Sequence, residues 1–332
     1  MNCFLITVDV EDWFQVENLR PWAPAAVWDR LEPRVEANVN RLLDLFDSFK
    51  PFGSPASTPR ARSPFSCTFF VLGWVARRLP RLVREIAARG HEVASHGSSH
   101  RMCGALSDAE LREDLAGSKR LLEDITGSEV AGFRAPNFSV DDRVLALARE
   151  AGYRYDSSYN SFGLHGRYGR ITLNGRPRAG IAYEIFENFF ELPLSNICVD
   201  LPGLKPQASS RATKTATAGF VLPWSGGAYF RLMPFGVFRK GVRSILKRDG
   251  AYLFYVHPWE IDPGQPRLRQ ASAAARFKHY TNLTKTEGRL RKMIEGFGDC
   301  RFTTCRDYLN NLGSSLFQVG KSNFSYPANR YY

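Results

Sequence analysis

The sequence predicts an α/β fold with parallel strands joined by crossover helices. Three observations lead there. The first two-thirds alternate short β-rich runs with amphipathic helical stretches, and the connections between them are short. The 332 residues fit one large α/β barrel with appendages, though also two domains. A composition of 44% hydrophobic and 23% charged residues excludes a disordered tail, a collagen-like repeat and a small disulfide-stapled scaffold.

Cys3 to Val8 is a compact apolar run and reads as the first strand. Val35, Val39, Leu42 and Phe46 recur at helical spacing. Ser66 to Leu72, rich in β-branched and aromatic residues, is the next strand. Leu82, Val83, Ile86 and Ala87 make a helical stripe closed by Gly90, and His91 to Ser95 follows as a strand. Ser107 with Glu110 forms a capping box for a long helix ending at Gly127. Gly132 to Ala135 is a short strand, and Ser139 with Asp142 resembles a second box opening a helix that runs to Gly152. Later come a basic helix over Phe235 to Lys247, an apolar strand over Ala251 to Val256 and a helix over Thr286 to Phe297. Residues 50–64 and 205–218 read as loops, and the chain after Leu312 reads as a fraying tail.

The formal charge is +12, from 45 basic and 33 acidic residues spread along the chain. The excess favours an anionic partner or serves solubility alone; without a basic block, nucleic acid is not expected. Six cysteines without a C-x-x-C pair give no zinc ribbon or redox motif. No run of 18 apolar residues exists, and the opening MNCFLITVDVEDWF lacks a basic region. The expected location is cytoplasmic, with the inner face of the membrane as an option.

Four places carry candidate chemistry. His96 and His100, four apart in a small-residue loop after a strand, can offer two imidazoles to one cation. Asp9, Glu11 and Asp12 crowd the end of the first strand, and such carboxylates repel unless a cation or arginine compensates. Arg134, in Gly132-Phe133-Arg134-Ala135-Pro136, can grip a carboxylate at a strand end. His257 closes a very apolar strand, a place suited to a general acid, and Asp156 at another strand end could orient an imidazole.

In this order the motifs resemble those of the NodB-like polysaccharide deacetylases. The matching pieces are Thr7 to Asp12, His96 to His100, Arg134-Ala135-Pro136, Asp156 and His257. The runs Asp9 to Phe14, Gly226 to Leu232, His257 to Glu260 and His279 to Leu283 further resemble a branch found beside bacterial exopolysaccharide and exosortase gene clusters. The resemblance implies a distorted (β/α) barrel of about seven strands. Residues 1–262 would be the catalytic domain, with loop insertions near 50–64 and 205–218, and 263–332 a C-terminal extension and tail.

The resemblance also implies removal of N-acetyl groups from an N-acetylated oligo- or polysaccharide, with possible peripheral association with membrane-bound synthesis machinery. A divalent metal is implied, zinc first, with cobalt or another first-row ion as alternatives. Its ligands would be His96, His100 and either Asp12 or Glu11; Asp9 would be the base, Arg134 its partner and His257 the acid. Aspartate as the family's usual ligand favours Asp12, whereas strand alternation favours Glu11. The rival readings are a same-fold hydrolase of another C–N bond, such as a cyclic imide or ureide, and a non-catalytic sugar-binding relative.

Overall fold

Apolar runs of four to eight residues become strands, and helical stripes become the layer that covers them. The computed structural model describes residues 1–49, 65–163, 168–200 and 219–319. The loops expected at 50–64 and 205–218 lie outside the described residues. The strands are β1 (Cys3–Val10), β2 (Thr68–Val71), β3 (Glu92–Ser95), β4 (Gly132–Phe133), β5 (Tyr155–Asp156), β6 (Arg178–Ala179), β7 (Ala182–Phe186), β8 (Phe189–Glu191), β9 (Asn196–Asp200), β10 (Gly219–Pro223), β11 (Ala251–Val256) and β12 (Arg301–Phe302). Parallel pairing runs in the order β11-β1-β2-β3-β4-β5-β8, the seven-strand parallel core that was expected. β7 and β6 extend it antiparallel, β9 and β10 form a separate antiparallel pair, and β12 joins β1 at Cys3 and Phe4. The outer edge of β11 is met by irregular backbone: Leu253 N donates to Ser195 Oγ and Tyr255 N to Ser225 O. No N–H of that edge strand needs a further strand at these two positions.

The helices are α1 (Val35–Asp47), α2 (Gly73–Arg78), α3 (Pro80–Ala88), α4 (Asp108–Thr126), α5 (Asp142–Glu150), α6 (Gly227–Leu232), α7 (Phe235–Asp249), α8 (Ala273–Tyr280), α9 (Leu283–Gly296) and α10 (Cys305–Val319). The α1 stripe Val35, Val39, Leu42 and Phe46 is buried, as its spacing predicts. α4 starts with the expected reciprocal box between Ser107 and Glu110 and ends at left-handed Gly127. At α5 the expectation fails: Asp141, not Ser139, caps the helix, its Oδ1 accepting from Val144 N, while Ser139 Oγ donates to Pro136 O. Of the tail expected to fray after Leu312, residues 313–319 are helical, since α10 continues to Val319, and residues 320–332 lie outside the described residues. Its first turn plugs the floor of the parallel core: Cys305 N donates to Thr68 Oγ1, Arg306 N to Glu92 Oε2, and Cys305 and Tyr308 pack among interior residues.

Strand parity decides what faces the interior. Side chains alternate across a strand, so residues two apart share a face. Phe4, Ile6, Val8 and Val10 of β1, with Tyr252, Phe254 and Val256 of β11, join the cluster under the helices. Leu5, Phe70, Ala94, Tyr155, Leu253 and Tyr255 form the interior cluster. Continued past the strand ends, the same parity carries Asp9 and Glu11, His96, Arg134 and His257 to the interior side. One glycine is dictated by this packing: a Cβ on Gly132 would lie 2.1 Å from the Tyr155 ring. Among the described residues no helix is long and apolar enough to cross a membrane.

Candidate active site

The parity argument ends in a cavity of about 110 Å³ at the carboxyl ends of the strands. Asp9, Glu11, His96, His100 and His257 line it. Arg134 lies beneath, fully buried, and organises the floor. Its Nη1 donates to Asp9 Oδ1 and to Thr7 Oγ1, both at 2.7 Å, its Nε to Ser157 O at 2.8 Å and its Nη2 to Ser157 Oγ at 2.9 Å. Phe70 lies under the guanidinium plane at 4.1 Å. The expected arginine–carboxylate grip is therefore present, between Arg134 and Asp9.

Glu11, His96 and His100 stand together, with potential ligand atoms all within 4.8 Å of one another. His100 Nε2 lies 2.6 Å from Glu11 Oε2. His96 Nδ1 is 2.8 Å from Arg134 O. A carbonyl can only accept, so Nδ1 carries the hydrogen and Nε2 keeps a bare lone pair, the tautomer a ligating imidazole needs. Burial lowers the His96 pKa to about 4 and keeps the ring neutral. Burial opposes ionisation of Glu11, yet His100 and His257 pull its pKa down to about 2. A buried carboxylate with two imidazoles fits a divalent cation by donor type and by charge.

The preference for Asp12 is corrected by the same geometry. Asp12 Oδ2 accepts from Arg34 N at 2.7 Å and Val35 N at 3.0 Å, and Oδ1 accepts from Trp13 N at 2.8 Å. Oδ2 is thus spent holding the start of α1 and Oδ1 the turn at Trp13, on the opposite face from the histidines. Burial raises its pKa to about 6. Glu11, two residues from Asp9, takes the place beside His96 and His100.

Asp156 is corrected as well. It reaches no imidazole; it accepts from Ser158 N at 2.9 Å and Ser158 Oγ at 2.8 Å, and Ser158 Oγ in turn receives Ala135 N. Its role is to fix the turn that holds Arg134. Its cross-strand neighbour Glu191, unanticipated from the sequence, is fully buried and accepts from Tyr159 N. Burial and the Asp156 carboxylate push Glu191 well above its ordinary range.

His257 is held by a residue that sequence reasoning missed. Its Nδ1 lies 2.8 Å from Glu260 Oε1, so the ring N–H donates to that carboxylate and Nε2 faces the cavity. Nε2 is 3.4 Å from Glu11 Oε1 and 3.9 Å from Asp9 Oδ2. Burial disfavours the imidazolium, but Glu11, Glu260 and Asp9 outweigh it and raise the pKa to about 9. Glu260 is itself held by Arg231 of α6, whose Nε donates to Oε2 at 2.7 Å. Trp259 lies between His257 and His279, its ring centroid 5.3 Å from one and 4.2 Å from the other. Phe138, Tyr168, Tyr255 and Trp259 line the cavity, while Trp13 and Phe14 are core. The motif runs Gly226 to Leu232 and His257 to Glu260 were visible in the sequence; their mutual ion pair was not.

Comparisons with known proteins fit this geometry. Residues 62–155 match the polysaccharide deacetylase model, and residues 211–310 match a domain of unknown function, DUF3473. Each of the two models covers less than a third of the chain. A Bacillus cereus peptidoglycan-N-acetylglucosamine deacetylase is 34% identical over 87 residues, 26% of this chain and 40% of that protein. The chain thus spans less than half the length of this curated relative. A candidate polysaccharide deacetylase structure from Mycobacterium smegmatis superposes with a TM-score of 0.57 at 18% identity, over 99% of this chain and 94% of the other. Puue allantoinase gives 0.54 at 15% identity, over 92% and 88%. At these identities the two structures establish the fold. The segment that matches the deacetylase model holds His96 and His100, which line the cavity, and Arg134 beneath them, and the segment that matches DUF3473 holds Arg231, His257, Glu260 and His279, which line the same cavity.

Proposed function

We propose that the protein is a metal-dependent hydrolase that removes N-acetyl groups from an acetylated polysaccharide. One observation carries this reading: the Glu11–His96–His100 cluster shares a cavity with an arginine-held carboxylate, Asp9, and a carboxylate-held imidazole, His257. A divalent metal held by Glu11, His96 and His100 would supply Lewis acidity, polarising the acetamide carbonyl and making water nucleophilic near neutral pH. Zinc is the ion proposed, because an imidazole-rich set with one carboxylate suits it.

The chain's own groups handle the protons. Arg134 fixes Asp9 through Oδ1, leaving Oδ2 towards the cavity to accept the proton of the attacking water. His257, oriented through Nδ1, presents Nε2 to donate a proton to the departing nitrogen. The acetamide C–N bond breaks, and acetate and a free amino sugar leave. The substrate proposed is a bacterial exopolysaccharide or its precursor, processed on the cytoplasmic side of the inner membrane. Support for that finer assignment is the resemblance of the runs at Asp9 to Phe14, Gly226 to Leu232 and His257 to Glu260, each of which contributes to the cavity.

The test is acetate release from N-acetylglucosamine oligomers by chelated protein, with and without added zinc or cobalt. Acetate that appears only with metal is expected. Metal binding without acetate, together with turnover of allantoin or a cyclic imide, would replace this reading with the other C–N hydrolase. Metal binding with turnover of neither substrate would favour a sugar-binding relative.

A further inference from the structure

Parity places His96, but it does not place His100. The second imidazole lies past the end of β3 in irregular chain. Its φ is +56°, a left-handed conformation that a non-glycine residue keeps only where its surroundings impose it. His96 is tied to the fold through Nδ1, 2.8 Å from Arg134 O. Among the described residues the His100 ring has one polar contact, Nε2 to Glu11 Oε2 at 2.6 Å. That contact joins two candidate ligands to each other, so it does not fix His100 against the fold.

The frame must come from the loop between the two histidines. Gly97 N is met by Ser95 Oγ at 3.2 Å where the loop begins. Gly73 N donates to Gly97 O at 2.8 Å and Trp74 N to Ser98 O at 3.0 Å, both from the start of α2. Nearer His100 the hold is a side chain of α4, Asp114. Its Oδ2 accepts from Ser98 N at 2.9 Å and its Oδ1 from Ser99 Oγ at 3.1 Å, while its own carbonyl accepts from Ser98 Oγ at 3.1 Å. Asp114 stands three residues after Leu111 and four before Ser118, both buried, so it rises from the packed side of the helix. Gly97 is shaped to this carboxylate: its φ is +72°, and a Cβ there would lie 2.7 Å from Asp114 Oδ2. The two carboxylate oxygens thus grip consecutive residues, the second directly before His100.

We propose that Asp114 is a positioning residue for His100: by holding Ser98 and Ser99 it sets where the second imidazole stands relative to Glu11 and His96, and with it the affinity of the site for a divalent cation. This rests on the metal-dependent reading of the cavity and adds to it a residue that does not line the cavity. An aspartate that served only the packing of α4 would change the stability of the chain and leave its metal affinity alone.

The experiment measures zinc and cobalt dissociation constants for the chelator-stripped full chain, by competition with a chromogenic chelator, beside the Tm of the metal-free protein. Asp114→Ala should weaken zinc about 10- to 100-fold, the scale of a lost outer-shell partner. Asp114→Asn, which keeps one acceptor oxygen, should fall between Asp114→Ala and wild type. Ser99→Ala, which cuts one bond and leaves the carboxylate, should weaken zinc less than Asp114→Ala. Leu122→Ala, in the buried stripe two turns further along α4, should lower Tm and leave the zinc affinity unchanged. If Asp114→Ala does not fold, Asp114→Asn and Ser99→Ala carry the same comparison. Wild-type affinity in the Asp114 and Ser99 variants overturns the proposal, and so does an equal weakening in Leu122→Ala, which would make affinity a reflection of stability. Metal binding without acetate release removes the deacetylase reading alone, since the affinities still decide the role of Asp114. A wild type that binds neither zinc nor cobalt removes both.

Discussion

The wall built on β1, β3 and β4 and the wall built on β11 and α8 both carry buried ions, yet they are held by different means. On the first, strand parity places Asp9, Glu11, His96 and Arg134 as continuations of interior-facing positions, the loop after β3 brings in His100, and Arg134 donates to neighbours in the same layer. On the second, His257 stands at a parity position too, but its ring is oriented by Glu260 and that carboxylate by Arg231, 29 residues earlier in the chain. The difference teaches where each wall is vulnerable. The first is as rigid as the sheet, whereas the second hangs on one buried ion pair that can be cut without touching the histidine–carboxylate cluster.

The sharpest way to break the comparison is to remove a group from the first wall. His96→Ala should abolish both stoichiometric metal, measured by elemental analysis, and acetate release, a rate loss of roughly a thousandfold or more. Glu11→Gln should follow it in metal content, and Asp12→Asn should not, because Asp12 is occupied by Trp13, Arg34 and Val35 N–H groups. Full metal in Glu11→Gln with loss in Asp12→Asn would reverse the assignment made here.

That pair also shows what was legible in the sequence. The parallel α/β core, the histidine loop, the Arg134 grip on a strand-end carboxylate and the polar end of β11 could all be read, because each depends on local pattern and on period-two alternation. Between Glu11 and Asp12, alternation pointed to the residue that stands beside His96 and His100, and the usual residue type to the one that does not. Backbone parity outranks side-chain habit when the ligand sits one residue past a strand. Asp156 was legible as a buried strand-end group, but its partner Glu191 lies on β8, a strand in a stretch whose periodicity predicted nothing. Arg231 and Glu260 were visible only as members of motif runs, since a salt bridge between distant segments leaves no spacing signal. The α8 wall entered the sequence reading only through the run His279 to Leu283, and its place over the cavity follows from the bonds of Arg231 to its last carbonyls.

A smaller effect is expected from the second wall. Glu260→Gln keeps a hydrogen-bond acceptor for His257 Nδ1 but removes the charge that pairs with Arg231 and the imidazolium. Metal content should stay at the wild-type level while kcat for acetate release falls about 10- to 100-fold, the usual scale for an outer-shell orienting carboxylate, with KM changing less. If metal is lost together with rate, the two walls are not separable and the contrast between them fails.

The smallest effect concerns the support behind the first wall, where Asp156 and Glu191 face each other in the core beside the turn that holds Arg134. Burial raises both above their ordinary range, and the Asp156 carboxylate beside it raises Glu191 further. The folded chain then keeps a proton that the unfolded chain, with ordinary carboxylates near pH ~4, has already released. With more protons bound in the folded state, the stability from this pair is complete below the unfolded pKa and declines as pH rises through the raised folded value. Asp12, raised by burial to about 6, contributes in the same direction and is common to both proteins compared. Glu191→Gln supplies a neutral amide that can hydrogen-bond to Asp156 without a shared proton. Urea midpoints measured from pH 5 to pH 8 should therefore fall less steeply with pH in Glu191→Gln than in wild type. Identical slopes would mean that the buried pair carries no extra proton, and that Arg134 alone neutralises the carboxylates around it.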